Sequence, residues 1–515
     1  MSTGGAYLDD RGNPCDFDKW MTGLRRRYLA FCKANNDSPA IPQVLAKIKM
    51  ALEDEQEFTA LGLSGQEIVG QQILPLVQFL QAYGKLNHLA FWRTRMGDEG
   101  AVSLAGLLPG NQTLKILEIC DCNVTEEGYT PLFHALPHSA LNTLSLESSQ
   151  LSAAVLARLG TAIERCASLA FQQATAAIEE SLAQFAAEQE RLKAEADAKK
   201  GKKGKKGSKG KKGKKGKKGK QVPTHDRPFS DVFNDFFLLQ RLNLSFCGIN
   251  SLLAPSLGVL VEKACKYVLE INLHGNPIGA YGLGEIGAGL CRAAIDATND
   301  EAKLGALGPA LSQPSPVPTL TKLTMPMDPS AMAGGMQERL LGDINVESRG
   351  QPSEVMTEAN TSVPVTAGAS EAPTTANQEN RPVTGLTEEP PYVPLEPIGC
   401  PYLRLQTLDL SNCSINEDLA ESYVSFGDGV LAAANLGTIK LHDNFFTEEQ
   451  FRWLSPSLLL QRSVTICTLP TTLTKERVAE HYLVFKTHKK ILDEDAKKRR
   501  GKKGKKGKKG KKGKK

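Results

Sequence analysis

The sequence predicts an α/β fold: a solenoid with parallel strands on a concave face and helices on a convex face, with disordered insertions and a disordered tail. Three observations predict it. An apolar template recurs eight times at near-constant spacing along the 515 residues. Inside each copy the apolar residues alternate with polar ones, as in a strand with one buried face. After the fourth copy, apolar residues return at three- and four-residue steps (Val155, Leu159, Ile163, Cys166), as in a helix. Units of this size cannot bury their own apolar faces, so stacking supplies the core.

Residues 1–55 read as a helical cap, in which FDKWMTGLRRRYLAFCKAN and IPQVLAKIKMALED form two amphipathic helices with Trp20, Leu24, Tyr28 and Phe31 as the apolar stripe. Such caps keep the apolar end of a stack out of water. Residues 56–165 hold four contiguous copies of the template L-x-x-L-x-L-x-x-N/C-x-L. The clearest are Leu86, Leu89, Phe91, Thr94, Met96 and, 28 residues on, Leu114, Leu117, Ile119, Cys122, Val124. A weaker copy precedes them (Phe58, Leu61, Leu63, Gln66, Ile68) and another follows (Leu141, Leu144, Leu146, Ser149, Leu151). Residues 236–292 hold two more, from Leu239 and Val268, and residues 403–468 the last two, from Leu405 and Leu436. Residues 469–496 read as a closing helix.

Two interruptions separate the blocks. Residues 166–198 continue the fourth unit's helix as a charged stalk, solvated or paired with a partner helix, and 199–235 form a GKK-rich insertion expected to be disordered. Residues 293–402 are rich in Pro, Thr, Ser and Ala with few aromatics, too little apolar surface to offset chain entropy, and are expected to be disordered. The polybasic tail, 497–515, is expected to be disordered too.

The template resembles that of the leucine-rich repeat family, in its long ribonuclease-inhibitor-like type. GDEGAVSLAGLL (97–108) and TEEGYTPLFHAL (125–136) look like that type's helical half. The resemblance covers roughly residues 55–165, 236–292 and 400–460; Gln66, Thr94 and Ser149 depart from it at the Asn/Cys position. The arrangement is also similar to leucine-rich-repeat proteins of cilia, flagella and basal bodies, some of which carry Lys-rich insertions. Some open with a Y-x-x-x-C-x-x-x-x-x-x-P-x-x-P helix, here Tyr28, Cys32, Pro39 and Pro42.

No catalytic constellation, cofactor or metal site is expected. Gly282, Gly284 and Gly287 spell G-x-G-x-x-G, but Gly282 falls 14 residues after Val268, as Gly128 does after Leu114 and Gly100 after Leu86. It is the repeat's own glycine at the strand-to-helix bend, and a dinucleotide loop is not expected. Cys122, Cys247 and Cys413 likewise hold the Asn/Cys position and read as structural thiols. Eleven Cys without a C-x-x-C pair fit a reducing, cytoplasmic setting, and no apolar run is long enough to span a membrane.

Charge is segregated. Residues 199–220 and 497–515 each carry 14 bases and no acid; they hold 28 of the 63 Lys and Arg, leaving 35 against 57 acids elsewhere. The body is therefore at −22, with two cationic arms. Period-three G-K-K offers charge without stacking or shape, so Lys211, Lys212, Lys214, Lys215, Lys505, Lys506, Lys508 and Lys509 are the expected contacts to a loosely read polyanion. Acidic tubulin tails, nucleic acid and an anionic membrane surface are the three candidates. The alternative is a solubilising tail, or a nuclear-import signal at Lys497, Lys498, Arg499 and Arg500.

A folded partner is expected on the concave face, which Glu118, Glu147, Glu270 and Asp409 make acidic, through Trp92, Arg93, Glu118, Glu147, Arg241, Glu270, His274 and Asp409. Trp92 beside Arg93 is the expected anchor, or else it packs on a flanking cap. The expected function is a non-enzymatic interaction scaffold of the cilium, flagellum axoneme, basal body or centriole, in the cytoskeleton, anchored to tubulin. The alternatives are an RNA- or ribosome-associated nuclear protein and a ribonuclease-inhibitor-like regulator.

Overall fold

The computed structural model describes residues 7–9, 11–200, 223–306 and 399–506. All of them lie in one compact unit drawn from Met1–Met325 and Pro397–Lys515. An antiparallel pair, β1 (Tyr7–Leu8) and β2 (Pro14–Cys15), leads into helices α1 (Phe17–Ala34) and α2 (Pro42–Glu53). Asp16 caps α1 by accepting from the Lys19 amide. The buried stripe is Trp20, Met21, Leu24, Tyr28 and Cys32, with Phe31 only partly buried. Trp20 stacks on Tyr7 at 4.7 Å and on Tyr83 at 5.6 Å, which ties the cap to the first repeat. The Tyr28 hydroxyl accepts from the Ile41 amide, and the Pro39 carbonyl from Gln72 Nε2.

Nine strands then form one parallel sheet in chain order among the described residues. They are β3 (Ala60–Ser64), β4 (His88–Trp92), β5 (Ile116–Cys120), β6 (Thr143–Ser145), β7 (Arg241–Asn243), β8 (Glu270–Asn272), β9 (Thr407–Asp409), β10 (Thr438–Lys440) and β11 (Ile466–Thr468). Each strand turns one alternate set of residues into the core, for example Leu89 and Phe91, or Leu242 and Leu244. Helices cover that side: α3 (Ile73–Tyr83), α4 (Gly97–Ala105), α5 (Glu126–Ala135), α6 (Ala153–Lys200), α7 (Phe229–Phe236), α8 (Ala254–Ala264), α9 (Gly279–Ala306), α10 (Ala420–Ala432), α11 (Glu448–Leu460) and α12 (Lys475–Lys506).

Both interruptions leave the sheet intact. Leu144 pairs in register with Leu242, and Ile271 with Leu408. The Asn/Cys position shows why the stack holds. At each turn it satisfies a carbonyl of the preceding unit: Cys122 Sγ to Phe91 O at 3.4 Å, Cys247 Sγ to Leu146 O at 3.0 Å, Asn276 Nδ2 to Leu244 O at 2.8 Å, Cys413 Sγ to Leu273 O at 3.3 Å and Asn444 Nδ2 to Leu410 O at 2.8 Å. Ser149 does the same, giving its hydroxyl to Ile119 O. Thr94 gives its own to Cys122 Sγ, while Gln66 is exposed and bonds Arg93 instead. Burial pushes the thiols of Cys247 and Cys413 up to about 12, so they stay protonated donors.

The ninth strand, β11, belongs to a further copy, Val464, Cys467, Leu469 and Thr472, in which Cys and Thr stand where the template has larger or amide side chains. Thr472 gives its hydroxyl to Phe446 O at 2.5 Å, also a bond to the preceding unit but five residues beyond the carbonyl that the other copies use. Gly100, Gly128 and Gly282 occupy corresponding places in the first turns of α4, α5 and α9. A Cβ there would come within 2.2 Å of Met96 Cγ, 2.8 Å of Val124 Cγ1 and 2.8 Å of Ile278 Cβ respectively. Close packing of each helix onto its own strand-to-helix loop accounts for these glycines.

Several boundaries move. Helix α6 runs unbroken from the fourth unit into the stalk and stays buried through Ala174, past the expected boundary at 165. Residues 223–235, placed by sequence in the disordered insertion, fold back on it: Phe229 meets Phe171 at 5.0 Å, and His225 meets Phe185 at 4.8 Å and Ser181 Oγ at 2.9 Å. Phenylalanines at helical spacing outweigh the polar flank there. Helix α9 runs to Ala306, past the expected boundary at 292, because Ala293, Ala294 and Ala297 remain buried. Helix α12 runs to Lys506 and so includes the start of the expected disordered tail. The rest of the GKK insertion, the Pro/Thr-rich insertion and the tail lie outside the described residues.

Candidate protein-interaction surface

The face of the sheet opposite the helices is a ladder of polar side chains joined from strand to strand. Trp92, 41% exposed at the end of β4, gives its indole N–H to Glu118 Oε2 at 3.1 Å, and His88 Nε2 lies 3.2 Å from the other Glu118 oxygen. Arg93 follows in the left-handed region at φ 53°, with its guanidinium 3.9 Å from Asp121. Asn243 Nδ2 donates to Ser145 Oγ and to Glu147 Oε2, bridging the gap across the first interruption. Arg241 pairs with Glu270 at 3.2 Å.

Across the second interruption, His274 Nδ1 bonds Ser411 Oγ at 2.8 Å, and Ser411 gives its hydroxyl to Asp409 Oδ1 at 2.5 Å. Lys440 Nζ reaches the other Asp409 oxygen at 2.8 Å. Burial opposes ionisation of Asp409, but hydrogen bonds from Lys440 and Ser411 outweigh it and hold its pKa below the ordinary carboxylate range.

The structure brings Trp92 together with Glu118, Arg241 together with Glu270, and His274 together with Asp409 through Ser411, while Arg93 faces Asp121. It corrects two details of the expected surface. Asp409 is buried, as are Ala90, Cys120, Ser145, Ser245 and Ser411 on the same alternate positions, because strands this close let longer neighbours roof over the short side chains. The face is also not a bare acidic one, since Glu118, Glu147, Glu270 and Asp409 each meet a donor of this chain. Lys211, Lys212, Lys214, Lys215, Lys508 and Lys509 lie outside the described residues. Lys505 and Lys506 fall in the last turn of α12.

The family model described as Leucine Rich Repeat matches residues 404–425, the segment that supplies β9, its turn and the start of α10. The chain carries a leucine-rich repeat. That match and the nine-stranded parallel sheet support a leucine-rich-repeat reading with an α/β solenoid-like fold. No curated protein matches the chain. A leucine-rich repeat is a protein-interaction module, and among the described residues no helix is long and apolar enough to cross a membrane.

Sequence reasoning passed over a row of exposed apolar residues on the edge where strands end and helices begin, including Phe246, Leu252, Tyr281 and Leu419. Their signal was present. Leu252 sits where other units carry Glu99, Glu127 and Asp418, and Phe246 where others carry Asp121, Ser148, Asn412 and Asp443.

Proposed function

We propose that the chain is a non-enzymatic scaffold that holds a protein partner on its open sheet face and is anchored by its polybasic arms to acidic tubulin tails. Continuity of the sheet carries this reading: β6 joins β7 and β8 joins β9 directly, so nine strands present one face about 38 Å across. A face of that width accommodates a folded partner of ordinary interface size. Trp92 anchors it, held in place by Glu118 and bordered by Arg93, with Arg241, Glu270 and His274 further along. The ribonuclease-inhibitor-like type fits the length of the repeats.

The arms supply the address. Their 28 bases without an acid stand against a body at −22, so an acidic polymer is bound away from the body. Location at an axoneme, basal body or centriole follows from that and belongs to the same proposal. Co-sedimentation with microtubules tests it. Binding is expected to fall by at least about tenfold when protease removes the acidic tubulin tails or salt is raised to about 0.5 M. Binding that survives both treatments overturns the anchoring reading.

A further inference from the structure

The edge of the sheet where β7, β8 and β9 end and α8, α9 and α10 begin has a chemistry found in neither the open face nor the arms. Phe246 follows β7 in the left-handed region at φ 56°, and its ring meets His274 edge-on at 4.8 Å. It lies over Gly275, where a Cβ would fall 2.3 Å from the ring, so glycine at that turn makes the seat. The ring is held on its underside and is still 46% exposed.

Beside it, Leu252 in the turn before α8 is 86% exposed, Tyr281 in the first turn of α9 is 44% exposed, and Leu419 just before α10 is 43% exposed. Leu252 and Tyr281 stand 13 residues into their units, and Leu419 stands 14 into the next. Contacts join those places: Glu417 accepts from the Ala280 amide, and Ser422 packs where a Cβ on Gly284 would lie. The four exposed side chains therefore lie along the edges of three units whose strands pair side by side, with an aromatic fixed at one end.

Charge on this edge has one sign. No Lys or Arg occurs in residues 242–261, 267–291 or 405–439, which supply the three strand-to-helix edges. Asp418 and Glu421 are exposed there, and Glu285 lies one turn into α9 beside Tyr281. Contiguous exposed apolar surface marks an interaction site, a rigid aromatic is the usual anchor, and surrounding charge selects the partner's sign. We propose that this edge docks a cationic segment of a partner protein, one that sets apolar side chains between its lysines or arginines. The chain's own arms match the charge only, since G-K-K has no apolar residue to cover Phe246 and Leu252.

The test uses the full-length chain and a short fluorescent peptide alternating lysine with leucine, followed by anisotropy. The double variant Leu252→Ser with Leu419→Ser removes exposed side chains and leaves the core untouched. It is expected to weaken binding by about tenfold, as is replacing the peptide's lysines by glutamate or its leucines by glycine. Trp92→Ala on the open face is expected to leave binding unchanged, which separates this proposal from the scaffold reading. Equal affinity of the double variant overturns the proposal. So does equal affinity of a Gly-Lys-Lys peptide, which makes the edge a purely electrostatic site, or a dimer of the chain that the double variant dissolves, which makes the occupant a second copy.

Discussion

Asn444 shows how one side chain carries the stack. Its amide gives hydrogen bonds to Leu410 O and Leu441 O, and its carbonyl accepts from the amides of Cys413 and Ile415. Asn444→Ala leaves these buried groups without partners, and the expected loss is about 3 kcal/mol, read as a lower urea midpoint and faster hydrogen exchange at Ile415. Cys413→Ala removes a weaker bond to Leu273 O, with an expected loss of about 1 kcal/mol. These residues are legible in the sequence because the template fixes their place. The open-face pairs are only half legible there. Alternation says that Glu118 and Trp92 share a face, but the strand pairing that sets one against the other is a tertiary fact, and so is the roofing of Asp409 by Lys440.

Single elements close the ends of the sheet. At β3, Gln43 of α2 bonds both the amide and the carbonyl of Ser64 and so occupies the open strand edge. Gln43→Ala is expected to cost about 1 kcal/mol and to raise aggregation measured by light scattering. At β11 the cover is α12, which buries two imidazoles. His481 bonds Ser455 Oγ and Arg477 O, with Glu480 and Glu448 nearby; His488 bonds Val464 O and leaves Nε2 buried without a partner. Burial holds both below the ordinary imidazole range, against the opposing pull of their carbonyl bonds. A base with a lowered folded pKa binds more protons unfolded, so its contribution is complete above about pH 6.5 and falls as pH drops towards the lowered value. Proteolysis within α12 is therefore expected to speed up between pH 7.5 and pH 5, and His488→Phe is expected to blunt the change. The helix itself is legible from its periodicity. Its underlying strand is not, because Cys467 and Thr472 blur the template.

For the whole molecule, the sheet explains how two long interruptions are tolerated. The first leaves from α6 and returns through α7 to β7, the second leaves from α9 and returns to β9, and loop closure grows only slowly with size. Replacing residues 201–222 by a short Gly/Ser linker is expected to shift the melting temperature by no more than about 3 °C while abolishing much of the microtubule binding. Composition makes these segments legible as interruptions. Whether the blocks on either side share one sheet is not legible, since pattern fixes the faces of strands and not their neighbours. Spin labels placed across both interruptions read that directly, one pair at Thr143 and Arg241 and the other at Glu270 and Thr407, the register partners of β6 with β7 and β8 with β9. Adjacent strands lie about 4.8 Å apart, so strong dipolar broadening is expected for both pairs. A narrow spectrum from either pair contradicts the continuous face on which the account rests.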